Sequence, residues 1–369
     1  MFVVVTQNFA PDIGGIAIVM HALAGALAAE GPVEVFAHRI RGGGPELEGH
    51  PYTALHRFGG PNPLRGWRKG WALRGPLANP TLRGVLCDSW KSAEILPPTT
   101  APVLVPAMGM EFPPNPSPRR VRRIRAALAK ASVVLPISRH TAAAVAPYLA
   151  PGARMEIIPP PIAPQPDATP EARATLRARV GHGPLLATLC RLEKRKGVDR
   201  VIAALPALLP RHPGLAFAIA GEGEDRARLE ALAAELRVTP HVHFLGRVDD
   251  AQKAALLAEC ACFAMPVRRE GASVEGFGIV YLEAAWHGRP SLAGREGGAG
   301  DAVEEGVTGL LCDGLDQASV TTGLAALLDD PARADAMGAA AARRLHEGFL
   351  LDAIARRFLD LMPPRGAVD

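Results

Sequence analysis

The strongest constraint on this chain is a rhythm that it plays twice. Short apolar runs rich in Val, Ile and Leu recur at residues 2–6, 33–37, 85–87, 103–106 and 133–137, separated by stretches of helical or irregular character. Runs that are apolar on both faces need cover on both sides, and parallel strands obtain it from the helices that connect them. Residues 159–170 then turn proline-rich and lose the periodicity, followed by a helix over 171–180 and a turn at Gly181-His182-Gly183-Pro184. Beyond this linker the rhythm resumes at 185–190, 215–220, 241–245, 262–265 and 291–293. The pattern predicts an α/β protein of two doubly wound domains, residues 1–165 and 166–347, with a C-terminal helix over 348–369 that packs back on the first. Open sheets of this kind bind ligands outside the carboxyl ends of their strands, so the chemistry is expected in a cleft that the two domains face.

Composition removes several alternatives. Hydrophobic residues make up 48% of the chain and charged residues 21%, the balance of a chain able to bury a core rather than of a disordered one. The first residues run straight into a β-branched stretch with no basic region before it, which predicts a cytoplasmic protein. Residues 13–29, uncharged and carrying His21, fall short of the ~20 apolar residues that a bilayer span needs. Five cysteines, with Cys260 and Cys262 too close for a zinc pattern, predict neither a disulfide framework nor a metal site. His21, His140 and Trp286 are read as packing residues. The net charge of +4 is small, but it is not evenly spread.

The most informative stretch is Glu275-Gly276-Phe277-Gly278-Ile279, continuing to Glu283. Gly276 and Gly278 let the backbone approach a ligand, and a helix starting near Ile279 would present free N–H groups and a positive dipole end to an anion. A carboxylate accepts two hydrogen bonds from vicinal hydroxyls, so Glu275 on the loop and Glu283 one turn into the helix suit the diols of a sugar or ribose. In the same half, Arg191 and Lys196 follow a strand and sit where a diphosphate would bind. A cation hydrogen-bonded to phosphate contributes roughly 1.5–3 kcal/mol, enough for these two to stabilise a leaving diphosphate without a metal. Gly221-Glu222-Gly223-Glu224 also follows a strand, but Arg226 stands where a dinucleotide fingerprint places a small residue, which disfavours a nicotinamide site.

Together these residues resemble the family 4 retaining glycosyltransferases of GT-B fold, which consist of two Rossmann-like domains. The matching segments are Pro11 to Gly15, Cys190 to Gly197, Gly221 to Gly223 and Glu275 to Glu283. The stretches around Phe244 to Val248, Phe263 to Arg268 and Val274 to Ala284 look most similar to the phosphatidylinositol mannoside mannosyltransferases, which use GDP-mannose. The resemblance implies that Arg191 and Lys196 contact the donor diphosphate, Glu283 the ribose and Glu275 the sugar. It further implies that Gly14, Gly15, Gly221, Gly223, Val248, Gly276, Phe277, Gly278 and Ile279 line the donor site. Transfer with retention and without a metal or other cofactor follows from the same resemblance. Relatives often carry a His in a His-Gly-x-Glu segment after the fourth strand, where this chain reads Met108-Gly109-Met110-Glu111. The Met108 thioether cannot donate a hydrogen bond, so the sugar or acceptor must be held differently there, and Glu111 is a candidate acceptor contact.

Two basic runs remain. Residues 117–130 predict an amphipathic helix with Ser117 as N-cap and Arg119, Arg120, Arg122 and Arg123 near its start, where positive charge opposes the helix dipole unless an anion is present. Residues 65–71 mix cations with Trp67 and Trp71, side chains that favour a membrane interface. Both runs predict peripheral attachment to an anionic membrane surface, on its inner face, rather than nucleic-acid binding. The expected partners are therefore a nucleotide diphosphate sugar, a lipid or glycan acceptor and that membrane. Three alternatives use the same residues: transfer from a UDP-sugar, a nucleotide-sugar 2-epimerase, and a binder that holds the donor without turnover. Residues 41–79, which should shape the acceptor pocket, match no motif.

Overall fold

A computed structural model of the chain describes residues 1–12, 14–39 and 49–363. The chain divides into two compact units, Met1–Ala163 with the segment from Phe349 onward, and Pro164–Gly348. Unit 1 is built on strands β1 (Phe2–Val5), β2 (Val33–His38), β3 (Ala54–Phe58), β4 (Gly84–Cys87), β5 (Val103–Ala107) and β6 (Val133–Pro136). Unit 2 contains β7 (Leu185–Leu189), β8 (Ala216–Ala220), β9 (Val242–Gly246), β10 (Cys262–Met265), β11 (Ser291–Gly294) and β12 (Gly309–Cys312). The sheets are ordered β3-β2-β1-β4-β5-β6 and β12-β11-β10-β7-β8-β9. Neighbouring strands run parallel throughout.

Both sheets therefore follow one plan. The chain enters at the middle, fills three strands to one edge, crosses back and fills three to the other. That plan creates a switch point between β1 and β4 in unit 1 and between β7 and β10 in unit 2, where loops diverge and leave a crevice. The interior strands β1, β8 and β10 are buried along their whole length, as a sheet covered by helices on both faces requires. Strands β3 and β12 are absent from the sequence expectation. Each lies at a sheet edge and is only partly buried; β3 carries His56 and Arg57 within it, and β12 is only four residues long.

The C-terminal segment rejoins unit 1 through paired backbone: Ile162 N–H donates to Phe349 O at 2.9 Å and Leu351 N–H to Ile162 O at 3.1 Å. A helix at Leu351–Asp360 then buries Ile354, Ala355 and Phe358 and packs on the helix Gly15–Ala29. It is shorter than the helix expected over 348–369, because Phe349 leaves the preceding helix, Pro331–Gly348, to make the backbone pair; residues 364–369 lie outside the described residues. So do Ile13 of the Pro11–Gly15 motif and residues 41–48 of the expected acceptor segment. Among the described residues, no helix is long and apolar enough to cross a membrane.

Candidate active site at the switch point of unit 2

The loops that leave β7 and β10 bring three charged side chains together. The Glu275 carboxylate accepts through Oε2 from the Lys196 ammonium and from Arg195 Nη1, the latter at 3.0 Å. All three are largely buried, with side-chain exposures of 15%, 11% and 16% for Glu275, Lys196 and Arg195. Burial works against ionisation of Glu275, but the charges and hydrogen bonds of Lys196 and Arg195 outweigh it and hold the carboxyl below its ordinary value. Arg195 also donates through Nε to Glu193 at 2.8 Å, so two cations and two carboxylates lie together at the carboxyl end of the sheet.

Backbone packing fixes this geometry. The loop after β7 is laid against the loop after β8: Cys190 N–H donates to Ala220 O, Leu192 N–H to Glu222 O and Asp225 N–H to Leu192 O, at 3.1, 3.0 and 3.2 Å. Gly221 has φ 117°, and any Cβ there or at Gly223 would strike the backbone of Cys190 or Leu192. These two glycines thus hold the cation-bearing loop in place, in addition to the ligand-facing role that the resemblance implies. The loop after β10 is tied to the same element, since Arg268 N–H donates to Arg195 O at 2.9 Å and the buried Arg268 guanidinium grips Asp199 at 2.8 and 3.0 Å.

Gly278 caps the helix Ile279–Trp286 in a left-handed conformation, φ 89°. Tyr281 lies beneath it, fully buried, donating to Met265 O at 2.6 Å and packing edge-on to Phe263. The helix N-terminus is thereby anchored to the end of β10, with Phe277 buried and Gly276 partly covered. Glu283, one turn in, accepts from Lys253 Nζ at 2.9 Å; Lys253 also donates to Gln165 at 2.9 Å. Val248 is half-buried and packs on the cluster around Leu176 and Val180.

Sequence and structure place one residue differently. Arg191 does not join the cluster: its side chain is 75% exposed, with Glu193 Oε1 at 3.4 Å. The second cation on Glu275 is Arg195, from the same basic run, which no motif singled out. Tyr281, Arg268 and Lys253 were also missed; Tyr281 lies between the two glutamates, and a large aromatic there is the one signal of an anchoring role.

In unit 1, Gly14 caps the exposed start of the helix Gly15–Ala29. Glu111 accepts from Met108 N–H at 2.7 Å, closing the turn after β5, and burial raises its pKa despite the backbone hydrogen bonds that lower it. Met108 itself is half-buried. The basic helix forms at Pro118–Leu128 with Ser117 as its cap. Three of its five arginines are engaged within the protein: Arg123 grips Glu94 at 2.7 and 2.8 Å, Arg120 donates to Glu111 O at 3.1 Å and Arg125 to Pro147 O at 3.2 Å. Arg119 and Arg122 are exposed. Trp67 and Trp71 are 68% and 63% exposed on the helix Asn62–Ala72.

Residues 176–344 match the family described as glycosyl transferases group 1. The chain is 44% identical over 219 residues to a GDP-mannose-dependent alpha-(1-6)-phosphatidylinositol monomannoside mannosyltransferase of Mycolicibacterium smegmatis, covering 57% of this chain and 56% of that one. An enzyme of the same description from Mycobacterium tuberculosis is 37% identical over 235 residues, covering 62% and 61%. The matched stretch thus spans little more than half the length of these relatives. Sucrose-phosphate synthase from Thermosynechococcus elongatus superposes with a TM-score of 0.78 at 22% identity over 97% of each chain, a likeness of fold.

Proposed function

Because unit 2 is a group 1 glycosyltransferase domain in a chain of GT-B fold, we propose that the protein transfers a hexose from a nucleoside diphosphate donor to an acceptor, with retention at the anomeric carbon. The observation that carries this reading is the Lys196–Arg195–Glu275 cluster at the switch point beside a glycine-capped helix start. A diphosphate entering there meets two desolvated cations and the free N–H groups of the helix, while Glu275 remains able to accept from sugar hydroxyls. Glu283 takes the ribose hydroxyls, with Lys253 fixing one of its oxygens. The bond from the anomeric carbon to the diphosphate oxygen breaks and a bond to the acceptor oxygen forms on the same face; the acceptor proton passes to the departing phosphate. Lys196 and Arg195 stabilise the charge that builds on that phosphate, the role that a metal plays elsewhere.

The donor is GDP-mannose and the acceptor is lipid-linked, readings supported by the relatives' described activity. Work at a membrane surface is supported by Leu64, Trp67 and Trp71, which follow helical spacing on Asn62–Ala72 and are 49%, 68% and 63% exposed. Calorimetric titration with GDP and with UDP, in chelator, tests the donor assignment. GDP is expected to bind at least tenfold more tightly, and Lys196→Ala to abolish the signal. Preference for UDP would move the donor to the glucose series, and binding that requires an added divalent metal would overturn the metal-free mechanism.

A further inference from the structure

The basic run that crosses the unit 2 site holds a carboxylate that the proposed transfer does not use. Glu193 accepts from Arg195 Nε through Oε2 at 2.8 Å, and its Oε1 lies 3.4 Å from Arg191 Nη1. Arg195 continues to Glu275 Oε2, where Lys196 also donates. The result is a row of alternating charge, Arg191, Glu193, Arg195, Glu275 and Lys196, with one more cation than carboxylates. Burial falls steadily along it, from 11% side-chain exposure at Lys196 to 26% at Glu193 and 75% at Arg191. The outermost contact is long and lies in solvent, so it is the one broken at least cost.

Glu193 is not what shapes the loop on which it stands. Leu192 before it is fully buried and paired through its backbone to Glu222 O and Asp225 N–H, at 3.0 and 3.2 Å. After it, Lys196 N–H donates to Glu193 O at 2.9 Å, and Gly197 closes the turn at φ 72°, where any Cβ would strike Pro266 O. The backbone thus fixes where the carboxylate sits, and the carboxylate is free to serve the arginines. Any carboxylate beside a diphosphate site subtracts from the attraction that the cations supply. Glu275 has a second task, accepting from sugar hydroxyls, whereas both oxygens of Glu193 are turned to arginines.

We propose that Glu193 is a positioning residue that competes with the donor's diphosphate for Arg191 and Arg195. It holds Arg195 in line with Glu275 and keeps Arg191 at the rim; an arriving diphosphate draws Arg191 off Glu193, and Glu193 takes it back as the product diphosphate leaves. The exposed position of Arg191 is then its parked position. The inference rests on the reading of the Lys196–Arg195–Glu275 cluster as the diphosphate site and adds what limits the affinity of that site.

The test is one of sign. Glu193→Gln keeps the side chain's shape and an oxygen for Arg195 Nε while removing the charge, and Glu193→Asp keeps the charge. The full chain is titrated calorimetrically with whichever of GDP and UDP the parent binds, and with the matching nucleoside as the phosphate-free control. Glu193→Gln is expected to bind the diphosphate about fivefold more tightly, a gain that shrinks as salt is raised, with nucleoside binding unchanged. The KM for the sugar donor should fall by the same factor without a rise in kcat. Glu193→Asp should stay within twofold of the parent. A carboxylate that merely braces the loop predicts the opposite, weaker binding and a lower melting temperature in Glu193→Gln, and either equal or weaker diphosphate binding there would overturn the proposal. So would a gain of the same size in Glu193→Asp, which would make geometry rather than charge the cause. A parent chain that binds neither diphosphate, or whose binding survives Lys196→Ala, would instead overturn the site reading on which the inference rests, so the two failures are told apart.

Discussion

Each unit keeps a buried lysine at its switch point, and the two lysines are treated differently. In unit 2 Lys196 comes from the loop after the first strand and meets the Glu275 carboxylate directly, with Arg195 on the same oxygen. In unit 1 Lys69 comes from a helix and reaches a neutral carbonyl, Thr6 O, while the adjacent Asp88 is committed to hydroxyl and backbone donors. A buried cation paired with a carboxylate is close to electrostatic balance; one held on a carbonyl is not. The same topology has thus produced one site poised by an internal ion pair and another whose lysine rests on a neutral carbonyl.

Breaking the pair in unit 2 should have the largest effect. Glu275→Ala and Lys196→Ala are each expected to lower turnover by about 10²–10³-fold, the range seen when one group that stabilises developing charge is removed. Steady-state kinetics with GDP-mannose and a lipid acceptor checks this, and near-normal turnover in both variants would dissolve the site assignment.

The unpaired lysine of unit 1 should show itself in the pH dependence of stability. Burial, opposed by the nearby Asp88 charge, lowers the Lys69 pKa to about 8. Below that value both folded and unfolded chains carry the proton and the cost of burying it is constant. Between about 8 and the ordinary lysine value the unfolded chain binds more protons, so stability rises with pH. The rise amounts to about 3 kcal/mol. Denaturant unfolding across that interval should show it in the wild type and not in Lys69→Met; parallel profiles would mean that Lys69 is better solvated than its surroundings indicate.

Sequence and structure diverge for physical reasons visible at particular residues. Ten of the strands announce themselves as apolar runs, whereas β3 and β12, each at one edge of its sheet and partly exposed, read as ordinary loop. Glu275, Glu283 and Lys196 are legible because glycines and a strand end fix the backbone near them. The choice of Arg195 over Arg191 as the partner of Glu275 is not legible, because it depends on the turn at Lys194–Lys196 that rotates one side chain inward and leaves the other in solvent. The basic run of residues 119–123 is legible as charge but not as an internal pairing, since that requires Arg123 to find Glu94 from another helix.

That turn supplies the next test. Arg191→Ala removes an exposed side chain, so thermal stability should be unchanged, and if Arg191 folds inward onto the diphosphate, kcat/KM should fall about tenfold, the worth of one charged hydrogen bond. Arg195→Ala should lower both activity and stability, because it uncovers Glu275. Equal melting temperatures for the two variants would show that the Arg195–Glu275 contact contributes little to folding.

The smallest effect separates anchoring from chemistry. The Tyr281 hydroxyl donates to Met265 O at the end of β10, and its ring lies against Gly278, where the helix begins. Tyr281→Phe keeps the ring and its edge-on packing with Phe263 and removes a single buried hydrogen bond. The expected loss of stability is about 1 kcal/mol, read as a shift of the denaturant midpoint without change of slope. The helix start then rests on packing alone, and GDP affinity should fall less than threefold. A loss of affinity as large as that of Lys196→Ala would mean that the helix N-terminus, rather than the paired cations, carries most of the diphosphate binding in unit 2. The contrast between the two switch points would then lie in backbone geometry instead of charge.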